Sequence, residues 1–526
     1  MGQTTFMLMI ITIISKVFGF LREGVMAYYI GAGDLKSVYT TANTLPVVVS
    51  NFVAMGIISG FIPIYNKAKN EEGEAAAEEF TSNVFNILMH FGLCAVIFGI
   101  VFARPFSKIL SPDLEGEWLD LATNYTRIMM FAVFAYLYSA IFRGYLNLKG
   151  NFFDPAITGI LMNIIIIIFT VLTGITGNPY LLIIGALLGN VLQYVLFPKA
   201  VRQAGFEHRK TFDLHNKYVR SLMIVAVPII ISSAAGELSI IADNSMASYF
   251  FGKASVAKLF YSKTMLTLIT GVITVSVTTA IFPKIANLGQ AGEINKMKRS
   301  ISSAVVTTMS LVIPATIGMM VLSSPIIRLV FERKAFTSED TIIVASLLSA
   351  YAPYIIFQSL TDVVDRGFYA VGDSKTPVII VVIQQVLNVI LNFIFIKYFD
   401  LKGLAYATVV STAIGSMMMI YKFRDNFGAF NFKSTLISLA KIILATSLMA
   451  FVANRTYFAL AGGISHILAL FGAIILAGLV YLIVILLARI PEVMNLVNQL
   501  YHKFTGKKEK KNENKRVARR KRKNRY

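Results

Sequence analysis

Charged residues are scarce in this sequence. Asp, Glu, Lys and Arg make up 15% of its 526 residues, against about 25% in soluble globular domains. Hydrophobic residues make up 56%, and they fall into runs long enough to cross a hydrocarbon core about 30 Å thick. A soluble protein would need several large cores to bury such runs. The composition therefore excludes an ordinary soluble domain and predicts an all-α polytopic membrane protein.

Residues that carry catalytic or redox chemistry are few as well. The chain has one cysteine, Cys94, and five histidines, so neither a disulfide framework nor a histidine metal cluster is predicted. No Gly-rich phosphate loop followed by Lys and Ser or Thr occurs, which excludes nucleotide hydrolysis as an energy source. The first apolar run carries Lys16, Arg22 and Glu23, so we do not expect it to be a cleavable signal peptide. These absences favour a membrane protein that is not an enzyme.

Fourteen apolar runs are bounded by charged or Gly/Pro-rich segments, and each predicts a transmembrane helix. Lys and Arg concentrate in the loops after the even-numbered runs and in the C-terminal tail, so the positive-inside rule places both termini in the cytoplasm. From Lys503 onward there are thirteen Lys and Arg against two Glu; beside a membrane, such a tail is expected to contact anionic lipid rather than nucleic acid. The predicted helices lie near 6–31, 38–66, 81–103, 120–147, 156–176, 180–202, 219–250, 256–288, 301–323, 341–371, 377–398, 401–422, 436–455 and 466–489.

A weak internal repeat predicts the architecture. Shifting the sequence by 220 residues aligns segment 23–110 with segment 243–330 without a gap, and an acid, a tyrosine and two prolines coincide. Because six helices separate the copies, both halves enter the membrane in the same orientation, with a pseudo-two-fold axis along the membrane normal. We predict two six-helix lobes, two extra helices that could form a lipid-tail groove, and a basic tail, with bounds 1–206, 215–430, 435–490 and 491–526. The coinciding pairs are Glu23 and Asp243, Tyr29 and Tyr249, Pro63 and Pro283, and Pro105 and Pro325.

Charges inside the apolar runs are candidate functional residues, because each is costly in lipid unless it faces a cavity or a partner. Lys16 and Glu23 share one face of the first helix, and Arg22 lies on the adjacent side. Two cations on a buried helix suit a diphosphate, and an Arg fork can bind phosphate oxygens bidentately. The alternative is that Glu23 pairs with Lys16 or Arg22 only to hold the helix in its bundle. Lys263, on the eighth run, would add positive charge to the same cavity.

A second candidate site is mostly uncharged. Asn388 and Asn392 lie one turn apart on one face of the eleventh run, and Thr408 lies on the twelfth. With Asp243 they could supply the oxygen ligands that a hard cation such as sodium prefers. On spacing alone, ordinary interhelical hydrogen bonding is the better explanation of these residues. We predict no cofactor other than this sodium ion.

Several segments resemble the MurJ (MviN) family of lipid II flippases, within the multidrug/oligosaccharidyl-lipid/polysaccharide exporter superfamily. The resemblance spans essentially the whole chain. The segments that carry it are SKVFGFLRE at 15–23, GAG at 31–33, LP at 45–46, G….FIP at 56–63, and FYA followed by DSKTP at 368–377.

The resemblance implies a V-shaped transporter of the bacterial inner membrane with a cationic central cavity. It would carry undecaprenyl-diphosphate-linked peptidoglycan precursor to the outer leaflet, with the polyprenyl tail beside the last two helices and cell-wall synthesis proteins as partners. The family's helix 1 arginines map to Lys16 and Arg22, and its acid to Glu23. Some members hold sodium among helices 7, 11 and 12; the matching positions are Asp243, Asn388, Asn392 and Thr408.

The chain departs from the family at three points. Where the family has Asn and an Arg pair after Leu-Pro, this chain has VVVSN, so Asn51 is the candidate substrate residue in this segment. The family's helix 8 arginine falls at Thr264, beside Lys263, and its acid after the Gly-Ala-Gly turn falls at Ser37. The cavity keeps its cationic sign but loses ligands. Two alternatives therefore stay open: an exporter of another lipid-linked oligosaccharide, such as a capsule or teichoic-acid precursor, and a polytopic glycosyltransferase.

Overall fold

The computed structural model describes residues 2–428, 432–494 and 497, and these residues form helices with no β-strand among them. One π-helical segment, Thr270–Thr274, lies between α11 and α12. The helices are α1 Gly2–Tyr29, α2 Asp34–Glu72, α3 Glu74–Val101, α4 Ala103–Leu110, α5 Gly116–Met130, α6 Ala132–Leu148, α7 Phe153–Thr176, α8 Tyr180–Leu192, α9 Phe197–Gln203, α10 Lys217–Phe251, α11 Ala254–Ile269, α12 Val275–Gln290, α13 Ile294–Val321, α14 Ser323–Phe331, α15 Ser338–Tyr351, α16 Tyr354–Ala370, α17 Lys375–Phe399, α18 Lys402–Phe427, α19 Phe432–Ala461 and α20 His466–Leu487.

The all-α membrane fold predicted from composition is confirmed, but the count of fourteen spans is not. Within the described residues, twelve helical segments are long and apolar enough to cross a membrane. Each corresponds to one of the predicted runs. The two remaining runs, 6–31 and 256–288, are helical but are not among the twelve. Run 256–288 is divided by the π-helical segment, so that α11 and α12 are each 16 residues long.

Two compact units make up the chain. The first comprises the described parts of Met1–Ile269, Leu322–Gln358 and Gly372–Lys422; the second comprises those of Thr270–Val321, Ser359–Val371 and Phe423–Tyr526. The predicted division into lobes 1–206 and 215–430 stays a prediction.

An aromatic core anchors α2 in the first unit. Phe61 on α2 and Phe80 on α3 are fully buried, and their rings stack with centroids 5.9 Å apart. Gly144 on α6 lies against Phe61, at a position where a Cβ would come within 3.2 Å of the ring. The long α2 also packs along α10. These two helices carry the candidate site residues Asn51 and Asp243.

In the second unit, α13 packs against α19, and α19 against α20. Tyr481 on α20 donates a hydrogen bond to the backbone oxygen of Ser310 on α13 at 2.6 Å. Phe368 on α16 packs edge-on against Phe423, with ring centroids 5.6 Å apart. Many large apolar side chains on α19 and α20 face outward, among them Leu444, Phe451, Leu468 and Leu482. An apolar exterior is what a helix pair in contact with lipid requires.

The turn between α1 and α2 depends on one glycine. Gly31 has φ of +75°, in the left-handed region that side chains disfavour. A Cβ at this position would lie 2.4 Å from the backbone oxygen of Ala335. The backbone oxygen of Gly31 also accepts a hydrogen bond from the Tyr261 hydroxyl at 3.1 Å. Gly31, the first glycine of the GAG segment, is therefore required both by the positive φ of the turn and by the close approach of segment 332–337 to its Cα.

Candidate functional site

Three charged residues, two on α1 and one in the first turn of α2, contact one another. The Arg22 guanidinium donates to Glu23 Oε1 from Nη2 at 2.6 Å and from Nε at 3.0 Å. Lys36 Nζ donates to Glu23 Oε2 at 2.9 Å. Glu23 and Lys36 are buried, whereas the Arg22 side chain is 21% exposed. Two cations share one anion, so this triad carries a net charge of +1.

Lys36 is held by aromatic rings as well as by its acid. Its ammonium lies 4.2 Å from the ring centre of Phe260, 5.0 Å from that of Tyr261 and 5.2 Å from that of Tyr39. Such cation–π contacts stabilise an ammonium that has lost its water. Lys36 is not among the predicted site residues, because the second apolar run is predicted to begin at residue 38. In the structure α2 begins at Asp34, so Lys36 lies in the first turn of a buried helix rather than in a loop.

The other predicted substrate residues are placed separately. Lys16 is exposed on α1, and no ion pair is found for it within the described part of the chain. Asn51 on α2 donates from its amide to Glu237 Oε1 on α10 at 2.8 Å. The structure thus brings Arg22 and Glu23 together and adds Lys36. Whether Lys16, Arg22, Glu23 and Asn51 bind substrate stays a prediction.

The fifth predicted substrate residue, Lys263, lies at the second candidate site. Its Nζ contacts Asp243 Oδ2 at 2.7 Å, and the Asn392 amide donates to Asp243 Oδ1 at 2.8 Å. Asp243 is 4% exposed and Lys263 31%. The lysine predicted to face a substrate cavity is therefore the ion-pair partner of the predicted metal ligand.

The two remaining predicted ligands are linked to each other. Asn388 donates from its amide to Thr408 Oγ1 at 3.1 Å and accepts a hydrogen bond from Ser239 at 2.7 Å. Both Asn388 and Asn392 are buried. The four residues proposed from the sequence thus converge, from α10, α17 and α18, on one polar cluster inside the first unit.

This cluster does not fit a sodium ion as it is arranged. Both oxygens of Asp243 face donors, the Lys263 ammonium and the Asn392 amide, and the ammonium already balances the negative charge. Neutral oxygens are nevertheless present. Asn392 Oδ1 is buried without a hydrogen-bond partner among the described residues. The neutral side-chain oxygens therefore suit a cation, but the Lys263 ammonium already occupies the position beside the Asp243 carboxylate.

Comparison with known proteins identifies the family. The family model described as "Lipid II flippase MurJ" matches residues 26–484. The chain belongs to the MurJ family. The lipid II flippase MurJ of Thermosipho africanus (strain TCF52B) is 28% identical over 453 residues, which cover 85% of this chain and 90% of the relative. A probable lipid II flippase MurJ of Rhizobium meliloti (strain 1021) is 27% identical over 420 residues, 78% of each chain.

Solved structures agree with the MurJ assignment. The structure described as lipid II flippase MurJ in an inward closed conformation superposes with a TM-score of 0.79 at 27% identity, covering 91% of this chain and 98% of the other. An inward-facing multidrug resistance MATE family transporter of the MOP superfamily has a TM-score of 0.64 at 16% identity, covering 78% and 94%. The second likeness concerns the fold alone. Membership of the MurJ family places the chain among transporters rather than enzymes.

One departure from the MurJ pattern has a structural explanation. Ser37, where the sequence analysis expected the family's acid, is buried, and its hydroxyl oxygen accepts the backbone N–H of Ala257 at 3.1 Å. Ala257 lies in the first turn of α11, where backbone N–H groups lack partners within the helix. A serine can supply this acceptor without adding a charge.

Proposed function

We propose that this chain translocates lipid II from the cytoplasmic to the outer leaflet by alternating access, as part of peptidoglycan synthesis. The observation that supports it best is the triad of net charge +1 in a chain of the MurJ family. Lipid II carries a diphosphate, and a guanidinium held in poorly hydrated surroundings binds phosphate oxygens strongly. The two alternatives raised from the sequence, another lipid-linked oligosaccharide and a glycosyltransferase, are not favoured by the family.

Complementation tests this function. In a bacterium depleted of its own lipid II flippase, expression of the chain is expected to restore growth and to expose lipid II to a degrading enzyme added outside the cell. The second readout separates lipid II transport from indirect rescue. A membrane-inserted protein that gives neither growth nor externally degradable lipid II would contradict the proposal and favour another lipid-linked substrate.

The orientation in the inner membrane is a further part of the proposal. Since Lys and Arg concentrate in the even-numbered loops and in the tail, both termini are expected in the cytoplasm. A reporter that is active only inside the cell, fused after Tyr526, should be active, and one that is active only outside should be silent. The opposite pair of results would reverse the topology. Tyr526 itself lies outside the described residues.

Lipid and protein contacts complete the proposed picture. The exposed apolar side chains of α19 and α20 suit a polyprenyl tail, as expected for a groove formed by the last two helices. Cell-wall synthesis proteins as partners, anionic lipid at the basic tail and sodium as coupling ion stay predictions. For sodium, Lys263 is a competitor within the described structure.

A further inference from the structure

We propose that Lys263 is the built-in counter-cation of Asp243, and that its ammonium takes the place of a free metal ion in this cluster. The proposal concerns the cation that balances Asp243. It does not depend on which lipid-linked substrate the chain carries.

The geometry of the pair is the first argument. Lys263 Nζ lies 2.7 Å from Asp243 Oδ2, and the carboxylate side chain is 4% exposed. An isolated ionised carboxylate at such a position is strongly unfavourable, so the acid requires a cation or a proton. The ammonium supplies that charge from within the chain. The amide of Asn392 hydrogen-bonds to the second oxygen at 2.8 Å, so both oxygens have a donor.

Charge balance is the second argument. One carboxylate and one ammonium make the cluster neutral, and the Lys263 ammonium also lies 5.3 Å from the ring centre of Tyr351. A sodium ion added beside this pair would leave a net charge of +1 and would face the ammonium directly. In a poorly hydrated interior that repulsion is large. Lys263 and a free cation are therefore mutually exclusive partners of Asp243.

The neutral oxygens around the pair are the third argument. Asn392 Oδ1 is buried and has no partner within the described residues. Asn388 and Thr408 place further side-chain oxygens in the same cluster. A carboxylate with amide and hydroxyl oxygens is a ligand set that a hard cation uses. If the ammonium is removed, the cluster should accept sodium. The lysine, rather than a shortage of ligands, is what excludes the metal.

Thermal unfolding of the purified full-length chain, in sodium and in potassium at equal ionic strength, tests this proposal. A ligand that binds only the native state raises the melting temperature. The wild-type chain is expected to melt at the same temperature in both salts, because its site holds its own cation. Lys263→Met, which keeps most of the apolar part of the side chain but removes the charged end, is expected to melt several degrees higher in sodium than in potassium.

Two further variants serve as controls. Lys263→Arg keeps a cation and should show no preference between the two salts. The double variant Lys263→Met with Asp243→Asn removes both charges and should lose the sodium preference of the single variant. Equilibrium binding of radioactive sodium should give about one ion per chain for Lys263→Met and no saturable binding for the wild-type chain.

Two results would overturn the proposal. The first is saturable sodium binding by the wild-type chain that Asp243→Asn abolishes, which would make sodium the resident cation. The second is a folded Lys263→Met protein without any sodium preference, which would show that the lysine does not stand in for a metal. If Lys263→Met does not fold, sodium binding to the wild-type chain decides the question by itself.

Discussion

Arg22→Ala is expected to abolish growth rescue while the protein stays in the membrane at its normal level. The structure gives the reason why folding should survive. Glu23 keeps Lys36 at 2.9 Å when the guanidinium is removed, so the buried acid is not left without a cation. The net charge of the triad falls from +1 to zero. What is lost is the partly exposed group that can bind a diphosphate.

Rescue in the depleted strain, together with immunoblotting of the membrane fraction, measures this effect. Arg22→Lys should be partly active, because a lysine keeps the charge but loses the fork. Lys16→Ala should have a weaker effect, since Lys16 is exposed and lies outside the triad. Lys67→Ala is the matched control, because Lys67 is an exposed cation that forms only a 4.0 Å surface pair with Glu71. Normal rescue by a folded Arg22→Ala protein would exclude Arg22 from substrate binding.

Lys36→Met is expected to destabilise the protein strongly, in contrast to Arg22→Ala. Lys36 is fully buried, and its ammonium is enclosed by Glu23 and three aromatic rings. Removing Lys36 leaves one oxygen of a buried carboxylate without its donor, which costs about 1–3 kcal/mol, and more when the group is charged. Arg22 still contacts Glu23, but it reaches only Oε1. The second carboxylate oxygen, which accepts from Lys36 in the wild type, would lose that donor.

The melting temperature of the purified protein measures the loss, and a double variant tests its cause. Adding Glu23→Gln to Lys36→Met replaces the carboxylate oxygen that lost its donor with a neutral amide, so the double variant should recover part of the stability that the single variant loses. Such non-additivity is the signature of a direct interaction. A Lys36→Met protein as stable as the wild type would show that the ammonium is not needed to balance Glu23.

Two buried acids of the first unit, Glu23 and Asp243, are arranged alike but balanced differently. Glu23 and Asp243 coincide in the 220-residue repeat, and each pairs with a lysine of the following helix, Lys36 and Lys263. Glu23 has Arg22 as a second cation, whereas Asp243 has an amide. One cluster therefore carries a net positive charge that an anionic substrate can use. The other is neutral, as expected of a cluster that holds helices together.

The sequence by itself determined the membrane class, the all-α fold and the presence of acids inside the apolar runs. Long apolar runs can satisfy their backbone groups in lipid only as helices or closed barrels, and runs of about 20 residues indicate helices. An acid inside such a run is costly wherever it lies. Glu23 and Asp243 could therefore be found without coordinates, and the MurJ segments around them could be recognised.

Only the tertiary structure decided which cation each acid takes. Periodicity relates residues on one helix, but Lys36, Lys263 and Ser37 find their partners across helices, where no spacing in the sequence applies. Because α2 begins at Asp34 and not at the predicted residue 38, Lys36 lies in the interior and not in a loop. Likewise, the ligands predicted for sodium lie in one cluster, but the Lys263 ammonium occupies the position beside the Asp243 carboxylate. The charge balance of a buried cluster depends on every group within a few ångströms, so it is set by packing.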